Sequence, residues 1–126
     1  MPMRLYSKDH TWVLVEGMRA RIGISDFAQK ELGDIAYVEL PSVGARVQRG
    51  EVACTVDSLK SSSEIYSPLS GSIAEINAVL TSEEKCRLVN DDPLGEGWLF
   101  GVDMSDPREL ELLISQESYD SYVGGN

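Results

Sequence analysis

Apolar and polar residues alternate with period two through most of the chain, in short runs separated by Gly, Pro, Asn and Ser. Thr11-Trp12-Val13-Leu14-Val15-Glu16, a turn at Gly17, and Met18-Arg19-Ala20-Arg21-Ile22-Gly23-Ile24 predict an opening hairpin. Arg19 and Arg21 alternate there with Ala20 and Ile22, which predicts one wet and one buried face. Ile35 to Leu40 reads as a strand ended by Pro41, and Val47 to Glu51 supplies a turn and a short edge. Val52, Cys54 and Val56 then alternate with Ala53, Thr55 and Asp57, while Glu64-Ile65-Tyr66 leads into the breakers Ser67-Pro68 and Ser70-Gly71. The Ser-rich link between those two runs predicts a hairpin tip that exposes Lys60. Gly71 to Ile76 is a further strand, 77–97 reads mostly as loop and turn, and Trp98 to Val102 closes the sheet.

The period changes in two places. Ser25 is placed to cap a helix over Asp26 to Leu32, stopped by Gly33, with Phe27, Ala28 and Leu32 as its core face. In the tail, Asp106-Pro107-Arg108-Glu109 has the order of a capping box, and Leu110, Leu113 and Ile114 follow as an apolar stripe. Ser115 starts a second short helix with Tyr119, Tyr122 and Val123 on one face. Many short strands with helices only early and in the tail (106–123) predict an all-β barrel or sandwich. At 126 residues the chain suits a single domain.

Composition narrows the function. The net charge is −10, a poor match for nucleic acid or an anionic membrane surface. Residues 1–50 hold 7 basic against 6 acidic side chains, whereas residues 51–126 hold 4 against 15. The lysine tip therefore lies in the acidic half, which suits partners with basic surfaces and also ordinary solubility. Cys54 and Cys86 lack a C-x-x-C spacing or a neighbouring histidine, so neither suggests a metal site, and Cys54 falls on a core-facing position. The N-terminus shows no apolar leader and no run long enough to span a membrane, which predicts a reduced, cytoplasmic protein.

Enzyme motifs fail on context. Ser82-Glu83-Glu84-Lys85 has S-x-x-K spacing but no accompanying Lys-Thr-Gly element. Gly95-Glu96-Gly97-Trp98-Leu99-Phe100-Gly101 precedes a strand, whereas a dinucleotide loop follows one and opens a helix. His10 is the single histidine and has no nucleophile-elbow serine to serve, so a packed or surface ring is expected. Asp91-Asp92 and Glu83-Glu84 read as solvated charges. A Schiff-base role for Lys60 would need burial, and a serine-rich tip with Asp57 and Glu64 nearby works against it. A lone exposed lysine is by itself only a solvated charge.

The blocks "YSKDHTWVLVEG", "IGISDFAQKELGDIAYVELPSVGARVQRGE", "VDSLKSSSEIYSPLSGSIAEIN" and "LVNDDPLGEGWLFGVDMSDP" change that reading. In this order, from about Tyr6 to about Tyr122, they closely resemble the H protein of the glycine cleavage system. The resemblance implies a non-catalytic lipoyl carrier with lipoate in amide linkage on Lys60. It implies a mainly β, lipoyl-domain-like barrel-sandwich hybrid with a short early helix and C-terminal helices, its hairpin core at about 35–103. The implied partners are glycine decarboxylase, aminomethyltransferase and dihydrolipoamide dehydrogenase, between which the arm carries an aminomethyl group. A lipoate ligase or lipoyl/octanoyl transferase would read the loop at Asp57, Ser58, Leu59, Ser61 and Glu64, and the free carrier is expected to be a monomer. In the family the loaded arm folds into a cleft; the matching positions are Asp9, Thr11, Ile24, Glu31, Leu32 and Glu64.

One position departs from the pattern. Where the family usually has His-Glu-Trp, this chain has His10-Thr11-Trp12, so the carboxylate that would pair with the arm's ammonium is missing. Glu31 or Glu64 is the candidate substitute. The departure keeps open an H-like protein that donates lipoate to other proteins or serves another pathway such as sulfur oxidation. Leu59 and Ser61 argue against a biotin carrier, which favours methionine on each side of the lysine. An interaction module that is never modified would make Lys60→Arg silent, whereas a carrier would lose its modification.

Overall fold

The computed structural model describes residues 3–124. Strands β1 (Met3–Tyr6), β2 (Thr11–Glu16) and β3 (Arg19–Ile24) precede helix α1 (Asp26–Leu32). Next come β4 (Ile35–Glu39), β5 (Arg46–Val47), β6 (Val52–Ser58), β7 (Ser62–Tyr66) and β8 (Gly71–Ile76). The short helix α2 (Leu88–Asp91), β9 (Phe100–Met104), β10 (Ile114–Ser115) and α3 (Gln116–Gly124) complete the order. They form a seven-stranded sheet, β10-β1-β2-β3-β9-β8-β5, and a three-stranded sheet, β4-β6-β7, all antiparallel. This is the expected barrel-sandwich arrangement, in which each strand buries alternate residues between two sheets.

The opening hairpin follows the pattern that predicted it. Arg19 and Arg21 are exposed and Ala20 and Ile22 buried, and Thr11 pairs with Ile24 through to Glu16 with Arg19. Val13, Ile22, Ile24, Val38, Val56, Leu69, Ile73, Leu80, Leu99, Phe100 and Val102 form one core with almost no exposure. Cys54 and Cys86 are both free and buried, and burial pushes the Cys54 thiol up to about 12. Ser25 caps α1 by accepting from the Ala28 N–H at 3.2 Å, and Gly33 ends the helix at φ 80°.

Several expectations need correction. Strand β1 was not predicted, although it pairs with both β2 and β10. The tail is not wholly helical: Pro107–Leu112 is a 3-10 helix, Leu113 turns extended, and β-branched Ile114 pairs with Tyr6. Asp106 caps as expected, but the Glu109 carboxylate accepts from the backbone N–H and hydroxyl of Ser70, at 2.6 and 2.8 Å, instead of closing a capping box. The stretch 77–97 is mostly loop and turn, as expected, with single helical turns at Ala78–Thr81 and α2. Finally, Phe27 faces His10 rather than the core and is 36 % exposed, and Val52 is 44 % exposed because the β6–β7 register shifts between Val52 and Cys54.

Candidate functional site

The β6–β7 hairpin presents Lys60 at its tip, with Leu59 79 % exposed beside it. No glycine makes this turn. The Ser58 hydroxyl oxygen accepts from the N–H groups of Lys60 at 3.3 Å and Ser61 at 3.0 Å, and the Ser58 N–H donates to the Ser61 carbonyl at 2.8 Å. The Leu59 N–H donates to the Asp34 carbonyl at 3.0 Å, tying the tip to the loop after α1. Across the hairpin the Ser62 hydroxyl donates to the Asp57 carboxylate. The Lys60 stem lies over Gly33, where an added Cβ would come 3.3 Å from the lysine Cε. A glycine at that place thus keeps a channel open for the stem.

Beside the tip is a cleft of about 470 Å³. Its walls are the turn between β1 and β2, the exposed side of α1 and strand β7. All six predicted cleft positions line it: Asp9, Thr11, Ile24, Glu31, Leu32 and Glu64. Of the loop residues, Asp57, Ser58, Leu59 and Ser61 gather at the tip, while Glu64 reaches the cleft wall instead. Among the described residues Asp9, Glu31 and Glu64 make no ion pair, so their charge is open to an incoming cation. Thr11 is nearly fully buried, and its hydroxyl lies 2.6 Å from that of Ser7. It fills the place with a satisfied neutral group and supplies no charge.

Some site residues escaped the sequence reading. Phe27 and Tyr66 add aromatic surface to the cleft, and His10 lies on its rim. Asn90 staples the loop that holds the tip: its amide donates to the Gly33 carbonyl and the Gln29 side chain, both at 2.9 Å, and accepts from the Ile35 N–H at 2.8 Å. Its partners lie 55 to 61 residues away, and no local pattern carries that information.

A two-sheet β scaffold with one lysine at a side-chain-locked tip, next to an open acidic cleft, has the form of a swinging-arm carrier domain. The comparisons agree in detail. The family described as glycine cleavage H-protein matches residues 4–125. The glycine cleavage system H protein of Thermotoga maritima is 45 % identical over 122 residues, covering 97 % of each chain. That of Rhodospirillum rubrum is 48 % identical over 121 residues, covering 94 % of each. The crystal structure of a glycine cleavage system H protein from Mycobacterium marinum superposes with a TM-score of 0.85 at 32 % identity, covering 96 % of each chain. The chain belongs to the glycine cleavage H-protein family, and it is a lipoyl carrier, not a catalyst.

Proposed function

We propose that Lys60 carries the lipoyl group in amide linkage, and that the cleft lined by Asp9, Thr11, Ile24, Glu31, Leu32 and Glu64 receives the charged arm. The observation that carries this is the Lys60 tip, locked by Ser58 and Asp34 and set next to that cleft. Glu64 is four residues beyond Lys60, about 13 Å along an extended strand, within the span of a lysine and its lipoyl extension. The fit to the group rests on Gly33, whose missing side chain leaves space for the stem. When bound, lipoate supplies a two-electron disulfide acceptor that no side chain of this chain offers.

The chain's own residues hold and orient. Ser58 fixes the direction in which Lys60 leaves the sheet, and the small Ser61, Ser62 and Ser63 let a partner's entrance close around the lysine. Ile24 and Leu32 provide apolar surface for the arm, while Glu31 and Glu64 supply the counter-charge for an ammonium that Thr11 cannot. Glycine decarboxylase, aminomethyltransferase and dihydrolipoamide dehydrogenase use the arm in turn. A lipoate ligase or lipoyl/octanoyl transferase installs it, reading Asp57, Ser58, Leu59, Ser61 and Glu64. The carrier works as a cytoplasmic monomer between encounters, with its lipoyl-type core at about 35–103 braced by the opening hairpin and the tail.

The test is intact mass and peptide mapping after incubation with lipoate, ATP and a lipoate ligase, followed by glycine–bicarbonate exchange with glycine decarboxylase. Addition at Lys60 with exchange is the expected result. No addition, or addition elsewhere, would sink the assignment. A second reading is favoured by one observation, the neutral Ser7–Thr11 pair where the family has a carboxylate: an H-like lipoate donor or sulfur-pathway carrier. Addition at Lys60 without exchange would select it.

A further inference from the structure

We propose that Tyr119, which does not line the cleft, is a positioning residue for it: its hydroxyl joins the His10 side chain on one wall to Ser25 at the start of α1, the other wall. This inference rests on the reading of the cleft as the arm's receptor. His10 is the one non-glycine among the described residues with a left-handed backbone, at φ 71°. Such a conformation in a non-glycine residue persists only where surrounding bonds enforce it. Here the His10 N–H donates to the Ser7 carbonyl at 3.2 Å, and its carbonyl accepts from the Ser25 N–H at 2.9 Å. Those bonds fix the backbone and leave the ring free to rotate.

Tyr119 fixes the ring. Its oxygen is 2.7 Å from His10 Nδ1 and 2.6 Å from Ser25 Oγ, and the His10 ring lies tilted over Phe27 at 4.8 Å. Tyr119 is itself held by stacking on Tyr6, with centroids 4.5 Å apart and planes 11° from parallel, and it is 3 % exposed. Burial raises its phenol above the ordinary range, so the hydroxyl keeps its proton. One direction gives every proton of the chain an acceptor; the reverse leaves the Ser25 hydroxyl proton none among the described residues. Ser25 Oγ already accepts from the Ala28 N–H at 3.2 Å, and its proton goes to the Tyr119 oxygen. The Tyr119 proton then goes to His10 Nδ1, which puts the neutral ring's own proton on Nε2. The edge of His10 turned away from Tyr119 is therefore a hydrogen-bond donor on the cleft wall, and a carbonyl or sulfur of the arm is the kind of group it would meet.

His10 is the single histidine, so its tautomer can be read directly from the imidazole nitrogen shifts of the unmodified protein. The same preparations are then lipoylated; one portion, its arm still oxidised, is charged by glycine decarboxylase with glycine, another is reduced chemically and left uncharged, and alkylation of the arm's free thiol by iodoacetamide is timed in both. Wild type should show the Nε2–H form and slow alkylation relative to the reduced, uncharged arm. Tyr119→Phe keeps the stack on Tyr6 and loses the bridge; it should show a mixed tautomer and alkylation about five- to tenfold faster, the worth of one hydrogen bond. Tyr6→Phe removes the bond to the Gln116 side chain at 3.0 Å, which ties α3 to β1 without touching the cleft, and should change neither reading. His10→Asn tolerates the left-handed backbone and removes the ring, so it should also accelerate alkylation, giving a second measurement if Tyr119→Phe does not fold. A wild-type tautomer and rate in Tyr119→Phe would overturn the proposal. So would equal acceleration by Tyr6→Phe, since helix docking alone would then explain the effect. A wild-type charged arm that reacts as fast as the uncharged one would overturn the cleft reading and this role with it, whatever the tautomer.

Discussion

Two hairpins of similar length carry opposite duties. β2–β3 lies inside the seven-stranded sheet, with β1 along one side and β9 along the other, and its pairing runs unbroken from Thr11–Ile24 to Glu16–Arg19. Its turn is made by Gly17 at φ 62°. β6–β7 ends the three-stranded sheet with β7 as an edge, its register shifts at Val52/Cys54, and its turn contains no glycine. Backbone freedom at Gly17 reverses the chain cheaply but aims nothing. At the tip, side-chain bonds from Ser58 and a tether to Asp34 do the aiming. One hairpin is built to be packed against and the other to point.

Substitution should separate the two most sharply at their central residues. Lys60→Arg should abolish lipoylation, read by intact mass, while unfolding free energy changes by no more than about 0.5 kcal/mol, as for other exposed positions. A lipoylated Lys60→Arg protein would break the comparison at once. In the other hairpin, Gly23 lies across from Trp12, and an added Cβ would sit 2.7 Å from the indole carbons. Trp12 has little freedom to yield, because it is buried and its Nε1–H donates to the Pro93 carbonyl at 2.9 Å. Gly23→Ala should cost roughly 2–3 kcal/mol in urea denaturation and leave the rate of lipoylation of the folded fraction unchanged.

Cys54 anchors the tip hairpin from inside and gives it a pH signature. The folded thiol titrates at about 12, against 9.0 for an unperturbed one. Below pH 9 both folded and unfolded chains hold the proton and this group adds no pH dependence. Between pH 9 and 12 the unfolded chain releases it while the folded chain does not, so stability falls by up to about 1.4 kcal/mol per pH unit. Cys54→Ala should be less stable at neutral pH but lose less between pH 9 and 11; parallel curves would show that the thiol is not shielded as described.

Much of this architecture was legible in residue order. Period-two alternation located both hairpins because each has one face against the core, and Ser25 and Gly33 marked α1 because caps are local. The cleft positions came from family resemblance; periodicity could not have grouped Asp9, Glu31 and Glu64, which meet only through the sheet topology. β1 was missed because its pairing is with β2 and with a strand more than a hundred residues later, at Ser115. The Leu110–Ile114 stripe misled because helical spacing over five residues also fits a 3-10 turn followed by an extended pair. Glu109 had the position of a capping-box acid, but Ser70 offered two donors at once.

The smallest effects test whether the tip is held by one serine or by all of them. Ser58→Ala removes the acceptor for the Lys60 and Ser61 N–H groups. Both N–H groups are near water and can be resolvated, so the stability loss should be about 1 kcal/mol, with a slower rate of lipoylation as the lysine direction loosens. Ser61 differs although it stands next to the lysine: its hydroxyl lies 3.5 Å from Ser58 Oγ, at the limit of hydrogen bonding, and its part in the turn is played by backbone atoms that alanine also has. Ser61→Ala should therefore leave stability within about 0.5 kcal/mol and lipoylation at the wild-type rate. Loss of rate in Ser61→Ala equal to that in Ser58→Ala would mean that the modifying enzyme reads the hydroxyls themselves. Loss in Ser58→Ala alone places the requirement in the turn, because only that serine holds the backbone from which Lys60 projects.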